Sequence, residues 1–389
     1  MRAKTIGTAH LSDKTVLVRV DFNVPIMRGK IEDDFKIQAS LELIKFLISK
    51  RAKIVLMTHL GWPKSGGAAD RRKFSVKIIA SHLAKLLDKR VLFLNQPVGS
   101  AKLQTAITKL KNGQVALLEN IRFYPGETTN SLEFAKQLAG LADVYINNAF
   151  ASCHRQHTSV SAIKKYLPSF AGPLLVAEVT NLRRVLKPKR PLIAIMGGVK
   201  VETKIAVLKN LLKKANHVLI GGALANNFLA AHRFNVGKSI VTKSGIALAR
   251  RLPRKKLVWP LDLVVTTKDG RTAWRHLKEI KRGETIIDIG PETMKLFGNY
   301  IKRANTLVWN GPMGRYEDER ARYGTLFVAR AVASRSSGKA FGVVGGGETI
   351  DALKLTKMED DIDWISTGGG ATLAYLSGEK LPGLVGLIK

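Results

Sequence analysis

Polar and cationic side chains follow the apolar runs in the first half of the chain, where the strands of a sheet would end. They are Asp21, Asn23, His59, Arg122, His154 and Arg155. Guanidinium groups bind carboxylate and phosphate oxygens through paired hydrogen bonds, and ligands of an open parallel sheet bind beyond the carboxyl ends of its strands. A single histidine here is most simply a core residue, but several such groups at one edge predict a site for a small phosphorylated or carboxylated anion.

The apolar runs of the second half end in glycine instead. Gly345, Gly346 and Gly347 follow a strand pattern and precede Glu348, Thr349 and a helical pattern. Backbone N–H groups at such a helix start bind anions, and glycine lets a phosphate approach closely. A carboxylate beside a phosphate needs a bridging cation, and Mg²⁺ takes one or two carboxylates together with phosphate oxygens. The loop therefore predicts either a magnesium–nucleotide site or a tight turn with a solvated glutamate.

Two further segments of the second half carry related chemistry. Lys200 and Lys204 follow a glycine pair at a spacing that places both ammonium groups on one helix face. An anion between them would offset their repulsion, although the spacing is not that of a Walker A loop and ordinary surface lysines are the alternative. The segment 309–314 predicts a strand that ends in a rigid turn, with Glu317 beyond it as an acceptor for a ribose hydroxyl. A turn that binds no ligand is the alternative.

These candidates need a scaffold, and the apolar pattern predicts one. The predicted strands cover residues 16–20, 54–57, 91–94, 115–118, 144–146, 192–196, 218–220, 306–309 and 340–344, and the predicted helices cover 35–49, 76–87, 132–141, 173–186, 203–214, 225–233 and 350–355. Such βα alternation predicts an α/β fold with parallel sheets and helices on both faces. The basic, proline-rich segment 187–191 predicts a domain boundary.

The composition is that of a globular chain apart from its charge. Of 389 residues 45% are hydrophobic, and no apolar stretch approaches the roughly 18 residues of a membrane span. The start of the chain has no signal-peptide pattern, and the single cysteine, Cys153, fits a reducing cytoplasm. Lys and Arg number 64 against 30 Asp and Glu, a net charge of +34 that predicts non-specific polyanion binding at low salt. Because the basic residues are spread along the whole chain, we expect no dedicated nucleic-acid partner.

Together the motifs resemble those of phosphoglycerate kinases over essentially the whole chain. The stretches that carry the resemblance are RVDFNVP from Arg19, THLG from Thr58, LENIRF from Leu118, NAF from Asn148 followed by His154 and Arg155, GGVKVETK from Gly197, WNGPMG from Trp309, GGGET from Gly345 and ISTGGG from Ile365. Each motif is short, but all of them occur in the family's order, so the chain is identified as a member of that family.

The resemblance implies reversible phosphoryl transfer from 1,3-bisphosphoglycerate to MgADP, which gives 3-phosphoglycerate and MgATP in glycolysis or gluconeogenesis. It implies substrate binding by Asp21, Phe22, Asn23, Lys36, His59, Leu60, Gly61, Trp62, Arg122 and Arg155. It implies nucleotide binding by Gly198, Lys200, Lys204, Gly221, Gly222, Asn310, Gly311, Pro312, Glu317, Gly345, Gly346, Gly347, Glu348 and Thr349. Catalytic roles fall to Lys36, Lys200, Gly347 and Gly370, and Glu348 is the expected Mg²⁺ ligand.

The resemblance also implies two Rossmann-like domains, each a parallel sheet flanked by helices, joined by a hinge helix. It places a 3-phosphoglycerate-binding domain at 1–172, the interdomain helix and hinge at 173–190 and the nucleotide-binding domain at 191–370, with the tail 371–389 folding back onto the first domain. Hinge closure would exclude water, which otherwise hydrolyses the acyl phosphate. The family expectation is a cytoplasmic monomer with small-molecule substrates and no membrane partner.

Departures from the family pattern fall in the expected site. Lys36 and Trp62 stand where the family has arginine, and Glu348 stands where it usually has aspartate. Lysine is a point charge without the planar fork of arginine, and tryptophan carries no charge, so we expect a weakened glycerate site, with Lys64 as a neighbour that compensates. Two interpretations follow: a working kinase with a weakened glycerate site, or a catalytically impaired homologue that binds a nucleotide or a nucleic acid.

Overall fold

The chain folds into two units, each built on its own parallel sheet. The structure is a computed structural model that describes residues 2–7, 11–199 and 201–389. The N-terminal unit comprises Met1–Val179 and Lys380–Lys389, and the C-terminal unit comprises Thr180–Glu379. No helix within the described residues is both long enough and apolar enough to cross a membrane.

The N-terminal unit centres on a six-stranded sheet in the order β5-β6-β4-β1-β7-β8. Its strands, with the short ribbon β2–β3, are β1 (Thr15–Arg19), β2 (Ile26–Met27), β3 (Lys30–Ile31), β4 (Lys53–Met57), β5 (Val91–Leu94), β6 (Val115–Leu118), β7 (Val144–Asn147) and β8 (Ser169–Ala171). All neighbouring strands of the six pair in parallel. Helices cover both faces of such a sheet, which is why its central strands are continuous apolar runs rather than alternating ones.

The helices of this unit flank the sheet, and the longer ones bury apolar side chains such as Ile79, Leu83 and Leu87. They are α1 (Phe35–Gln38), α2 (Leu41–Ser49), α3 (Ala68–Phe74), α4 (Lys77–Leu87), α5 (Ala101–Thr108), α6 (Pro125–Thr128), α7 (Leu132–Ala139) and α8 (Pro173–Leu186), the last of which crosses the boundary between the units. The sequence pattern predicts one helix over 35–49, and that prediction is wrong. The N–H of Ser40 donates to the carbonyl of Ile37 at 3.0 Å, a tight three-residue bond that ends α1 before α2 begins.

The C-terminal unit repeats the plan with the sheet order β11-β10-β9-β15-β16-β17. Its strands are β9 (Leu192–Met196), β10 (His217–Ile220), β11 (Leu257–Val258), β12 (Asp262–Thr266), β13 (Thr272–His276), β14 (Thr285–Ile289), β15 (Thr306–Asn310), β16 (Phe341–Gly345) and β17 (Trp364–Ser366). Its helices are α9 (Val201–Lys214), α10 (Gly222–Ala231), α11 (Lys243–Arg250), α12 (Pro291–Lys302), α13 (Tyr323–Ser336), α14 (Gly347–Lys354) and α15 (Gly370–Ser377). The antiparallel sheet β13-β12-β14 is absent from the sequence prediction because half-exposed β13 has no clear apolar alternation.

The C-terminal tail is an integral part of the N-terminal unit. The N–H of Lys4 donates to the carbonyl of Leu387 at 2.8 Å, and that of Gly383 donates to the carbonyl of Cys153 at 2.9 Å. Helix α15 instead packs against α9 of the C-terminal unit. The returning segment therefore starts at Lys380, later than the 371 that the resemblance implies.

Candidate active site

The carboxyl ends of β1, β4 and β6 form one edge of the N-terminal sheet, and side-chain amides tie their loops together. The side-chain oxygen of Asn23 accepts from the N–H of Gly61 at 2.8 Å. The amide of Asn120 donates to the carbonyls of Leu60 and Phe74 at 2.8 and 2.9 Å. These bonds hold the loop after β4 between its neighbours, so the backbone around the predicted site is fixed before any ligand arrives.

An ion pair between a partly exposed lysine and a buried aspartate lies at this edge. The ammonium of Lys36 donates to Oδ2 of Asp21 at 2.8 Å. Burial by itself would raise the pKa of Asp21, but the charges of Lys36 and Arg19 and the nearby His59 together lower it to about 2. Asp21 is therefore an anion that holds the Lys36 ammonium at the strand end.

Arg19 lies beneath the site and is only 1% exposed. Its guanidinium donates to Nδ1 of His59 at 2.9 Å and to the hydroxyl of Ser159 at 2.8 Å. Burial and the charge of Arg19 lower the pKa of His59 well below its usual value. The sequence analysis assigned Arg19 no role, although a charge inside an apolar strand is a usable signal because a buried charge needs partners.

Trp62 lies against two arginines. The guanidinium carbon of Arg122 is 3.9 Å from the centroid of the Trp62 ring, and that of Arg155 is 4.4 Å from it. Arg122 also donates to the carbonyl of Gly61 at 2.6 Å. Burial first, and then the charges of Arg155 and Arg19, lower the pKa of Arg122 to about 10.

Lys64 lines a pocket together with Trp62 and Arg122. The carboxylate of Asp70 accepts from the backbone N–H groups of Lys64 and Ser65 at 2.9 and 2.7 Å. This anchored loop places Lys64 on the same pocket wall as Arg122.

Phe22 and Leu60 lie in the apolar core, unlike the polar residues that are predicted to bind the substrate. Both side chains are buried in the apolar core of the N-terminal unit. The backbone N–H of Phe22 donates to the hydroxyl of Thr58 at 2.9 Å. At the site these two residues contribute backbone, and their side chains support the loops from below.

In the C-terminal unit, the loops after β9 and β15 meet where the strand order reverses, which is the usual ligand position of such sheets. The N–H of Gly198 donates to the carbonyl of Pro312 at 2.8 Å, and that of Gly222 donates to the carbonyl of Met313 at 2.9 Å. Gly198 has a φ of +82°, and a β-carbon there would lie 2.7 Å from the Lys204 ammonium. The positive φ is what favours glycine here, because side chains are strained in that conformation, whereas the end of the Lys204 side chain could shift.

Lys204 is buried in the first turn of α9, and its ammonium donates to the carbonyl of Gly197. Burial lowers the pKa of Lys204 to about 8, against the opposing effect of Glu348. Lys200, the other lysine of the predicted pair, lies outside the described residues. The described residues thus place one of the two predicted lysines at the floor of the glycine loops.

The loops after β15 and β16 are linked by side chains. The amide of Asn310 donates to the carbonyl of Gly345 at 2.7 Å, and the N–H of Gly311 donates to the hydroxyl of Thr349 at 2.7 Å. Gly346 and Gly347 lie between them at the start of α14, and Gly221 lies between β10 and α10. Gly370 starts α15 at the carboxyl end of β17.

A pocket opens above these loops. It is lined by Gly198, Val199, Gly222, Ala223, Asn226, Ile240, Ile286, Ile287, Pro312, Met313, Gly314, Arg315, Glu317 and Glu348. The sequence analysis missed the apolar wall of Ile240, Ile286 and Ile287. The last two belong to β14 of the antiparallel sheet that it did not predict, and Ile240 lies outside any strand or helix. The sequence analysis also missed Asn226 and Arg315, which carry no local motif.

The carboxylates of this pocket suit a metal that arrives with its ligand. The described residues contain no group of three or more His, Cys, Asp or Glu side chains that would hold a metal by themselves. Mg²⁺ at phosphate sites needs only one or two carboxylates, since phosphate oxygens and water supply the rest. Glu348, at the start of α14 and on the pocket wall, fits that requirement.

The model of the family described as phosphoglycerate kinase matches residues 6–379. The chain belongs to the phosphoglycerate kinase family. The phosphoglycerate kinase of Moorella thermoacetica is 41% identical over 397 aligned residues, which cover 100% of this chain and 99% of that protein. That of Dictyoglomus turgidum is 41% identical over 384 residues, or 96% of this chain and 95% of that protein.

Solved structures of phosphoglycerate kinases share the fold. The structure from Coxiella burnetii superposes with a TM-score of 0.86 at 35% identity and covers 98% of both chains. The structure from Pyrococcus horikoshii OT3 gives a TM-score of 0.86 at 32% identity, covering 98% of this chain and 97% of that one. The predicted α/β class is confirmed, and a phosphoglycerate kinase is a phosphotransferase.

Proposed function

We propose that this protein is a working phosphoglycerate kinase, which reversibly transfers a phosphoryl group from 1,3-bisphosphoglycerate to MgADP and yields 3-phosphoglycerate and MgATP in glycolysis. The family match along the chain supports this proposal. The observation that carries it is the group of cations at the edge of the N-terminal sheet, where Lys36, Arg122 and Arg155 gather with the neutral imidazole of His59. A homologue that only binds a nucleotide would have no need of such a cluster in the other unit, and the comparisons do not favour an impaired homologue.

In this proposal the N-terminal unit binds the glycerate. Arg122 and Arg155 bind anionic oxygens of the substrate, and Asn23 orients the loop that carries Gly61. Because the guanidinium of Arg19 has no acceptor, Nδ1 of His59 must accept its bond. The remaining proton of His59 is then on Nε2, so the imidazole serves as a neutral donor to a substrate oxygen.

The C-terminal unit binds the nucleotide in the glycine-lined pocket. The apolar wall of Ile240, Ile286 and Ile287 suits a purine base, and Glu317 is placed to accept from the ribose. The helix starts at Gly222 and Gly347 offer N–H groups to the phosphates. Lys204 lies at the floor beside them.

The transfer itself needs positioning and charge stabilisation more than covalent help. An oxygen of the β-phosphate attacks the acyl phosphorus, the bond from phosphorus to the carboxyl oxygen breaks, and the carboxylate leaves, so no general base is required. Mg²⁺, held by Glu348, would supply charge neutralisation at the phosphate oxygens. Lys36, Lys200 and the N–H groups near Gly347 and Gly370 are the proposed stabilisers of the transferring group.

The remaining parts of the proposal concern behaviour in solution. Direct transfer requires the two substrates to meet, so the proposal includes hinge bending during turnover. It also includes a weakened glycerate site because of Lys36, a monomeric state and a cytoplasmic location. The positive charge of the chain would produce non-specific polyanion binding that disappears as salt is raised.

A coupled assay with MgATP and 3-phosphoglycerate tests the proposed function directly. We expect turnover that depends on both substrates, with a raised KM for 3-phosphoglycerate. Absence of turnover, together with retained MgADP binding in calorimetry, would support the impaired homologue. RNA binding that survives roughly 200 mM salt would point the same way, because purely electrostatic binding weakens steeply there.

A further inference from the structure

Trp62 is an exposed aromatic residue in the middle of a cationic site. Its exposed fraction is 57%, so the folded core does not explain it. It is also the only tryptophan among residues 1–179; the others are Trp259, Trp274, Trp309 and Trp364. Comparison with the family pattern treats Trp62 only as the loss of an arginine's positive charge, but the contacts of Trp62 indicate a different role.

Two guanidinium groups share this ring. Arg122 and Arg155 lie 3.9 and 4.4 Å from its centroid, well within the distance at which a cation is attracted to the face of an indole. The two like charges repel each other, and the negative face of the ring offsets part of that repulsion. An arginine at position 62 would instead add a third cation.

The geometry also preserves the donors that an anion needs. A guanidinium contacts a ring through its face, whereas its N–H groups point outward in its own plane. A guanidinium has five N–H donors, and the bond to the carbonyl of Gly61 uses only Nη1 of Arg122. Arg122 therefore keeps donor capacity while Trp62 and the carbonyl of Gly61 hold its orientation.

Resting on the proposed function, we infer that Trp62 is a positioning residue that holds Arg122 and Arg155 in the orientation that binds the anionic groups of 3-phosphoglycerate. It contributes no charge to the ligand. Where the family has a further arginine, this chain has a ring that orients two arginines. Part of the affinity for 3-phosphoglycerate that the missing charge would cost is therefore retained.

The test compares Trp62→Leu with Trp62→Phe. Removing the π face should raise the KM and the calorimetric Kd for 3-phosphoglycerate by about tenfold, since two cation–π contacts are lost. The KM for ATP and the kcat should change by less than about twofold. Phenylalanine keeps a π face and should restore most of the affinity. Tyr166→Leu is the matched control, because Lys136 lies 5.9 Å from that ring outside the candidate site.

Fluorescence gives a readout that a merely structural role would not move. When 3-phosphoglycerate engages the guanidinium groups, the emission of Trp62 should change, and this change should be lost in Trp62→Phe although that variant still binds. Unchanged affinity in Trp62→Leu, or equal losses in the leucine and phenylalanine variants, would overturn the inference. Absence of turnover in the unmodified enzyme would overturn the proposed function alone, since the comparison of binding among the variants is independent of activity. If the unmodified enzyme does not bind 3-phosphoglycerate, both fail.

Discussion

The guanidinium of Arg19 donates a 2.9 Å hydrogen bond to Nδ1 of His59. Both side chains are buried at the carboxyl end of the N-terminal sheet. Because arginine has no acceptor and stays charged, this bond excludes a proton from Nδ1 and disfavours the imidazolium form.

His59 should therefore stay neutral across the physiological pH range. Burial and the charge of Arg19 hold its pKa well below the ordinary value, so a second proton binds only at acidic pH and no titration occurs between about pH 6 and 8. NMR observation of the His59 ring checks this, and a midpoint between pH 6 and 7 would contradict it. His59→Gln keeps a neutral donor and should reduce kcat/KM for 3-phosphoglycerate by less than His59→Leu, which we expect to cost about thirtyfold.

Replacing Lys36 with arginine should raise kcat/KM for 3-phosphoglycerate several-fold. The Lys36 ammonium is committed to Asp21 at 2.8 Å, whereas the arginine fork has enough donors for both Asp21 and a phosphoryl oxygen. Lys36→Met should lower kcat/KM by at least tenfold because it removes the cation. The coupled assay measures both. Lys45→Arg, the same exchange at an exposed position of α2, is the control and should have no effect. An equal gain in both arginine variants, or no gain in Lys36→Arg, would refute the account of position 36.

The affinity of the free enzyme for MgADP should fall as pH rises through about 8. Burial lowers the pKa of Lys204 to that value, so the ammonium is present below pH 8 and is lost progressively above it. The Kd should rise by up to tenfold per pH unit while Lys204 is the group that loses its proton. Calorimetric titrations from pH 6.5 to 9.5 test this. In Lys204→Arg the charge persists, so a pH dependence equal to that of the unmodified enzyme would exclude Lys204 as its source.

Glu348→Gln should raise the Mg²⁺ concentration needed for half-maximal activity by at least tenfold. The substitution keeps the shape of the side chain at the start of α14 but removes the charge that a hard cation prefers. Glu348→Asp keeps the charge and should stay within about threefold. Kinetics at fixed ADP with varied Mg²⁺ measure the difference, and equal effects of the two substitutions would mean that side-chain length, rather than charge, matters.

Removal of the tail from Lys380 should expose the thiol of Cys153. Burial raises the pKa of that thiol to about 12, and Gly383 lies so close that a β-carbon there would be 2.6 Å from its Sγ. Lys164 also holds the tail, donating to the carbonyls of Pro382 and Val385 at 2.8 and 2.7 Å. The full chain should be inert to a thiol reagent, and the truncated chain should react.

Gly383→Ala is a milder version of the same test. It should accelerate labelling of Cys153, because the added methyl cannot fit against the sulfur. Cys153 is the only cysteine, so the labelling rate reports on this position alone. An unreactive thiol in both variants, with an unchanged thermal unfolding midpoint, would show that the tail does not cover it.

The local pattern of apolar residues was sufficient to predict several strands and the residues that follow them at the sheet edges. The predicted strands 91–94, 115–118 and 192–196 coincide with β5, β6 and β9, because strands buried on both faces are short apolar runs that end at polar or glycine residues. Since parallel strands end together, the motifs after them are brought to one edge of each sheet. The polar edge and the glycine edge were therefore foreseeable from order and spacing.

Contacts between distant residues were not foreseeable. The sequence marks Trp62 as a missing charge, and only the folded chain places the ring against Arg122 and Arg155. It leaves Arg19 without a role, and only the pairing of β1 with β4 brings that guanidinium to His59. Spacing along the chain determines which element a residue occupies and at which end. The partner that each side chain meets depends on long-range packing, and at this site that packing decides the tautomer of His59 and the orientation of the two arginines.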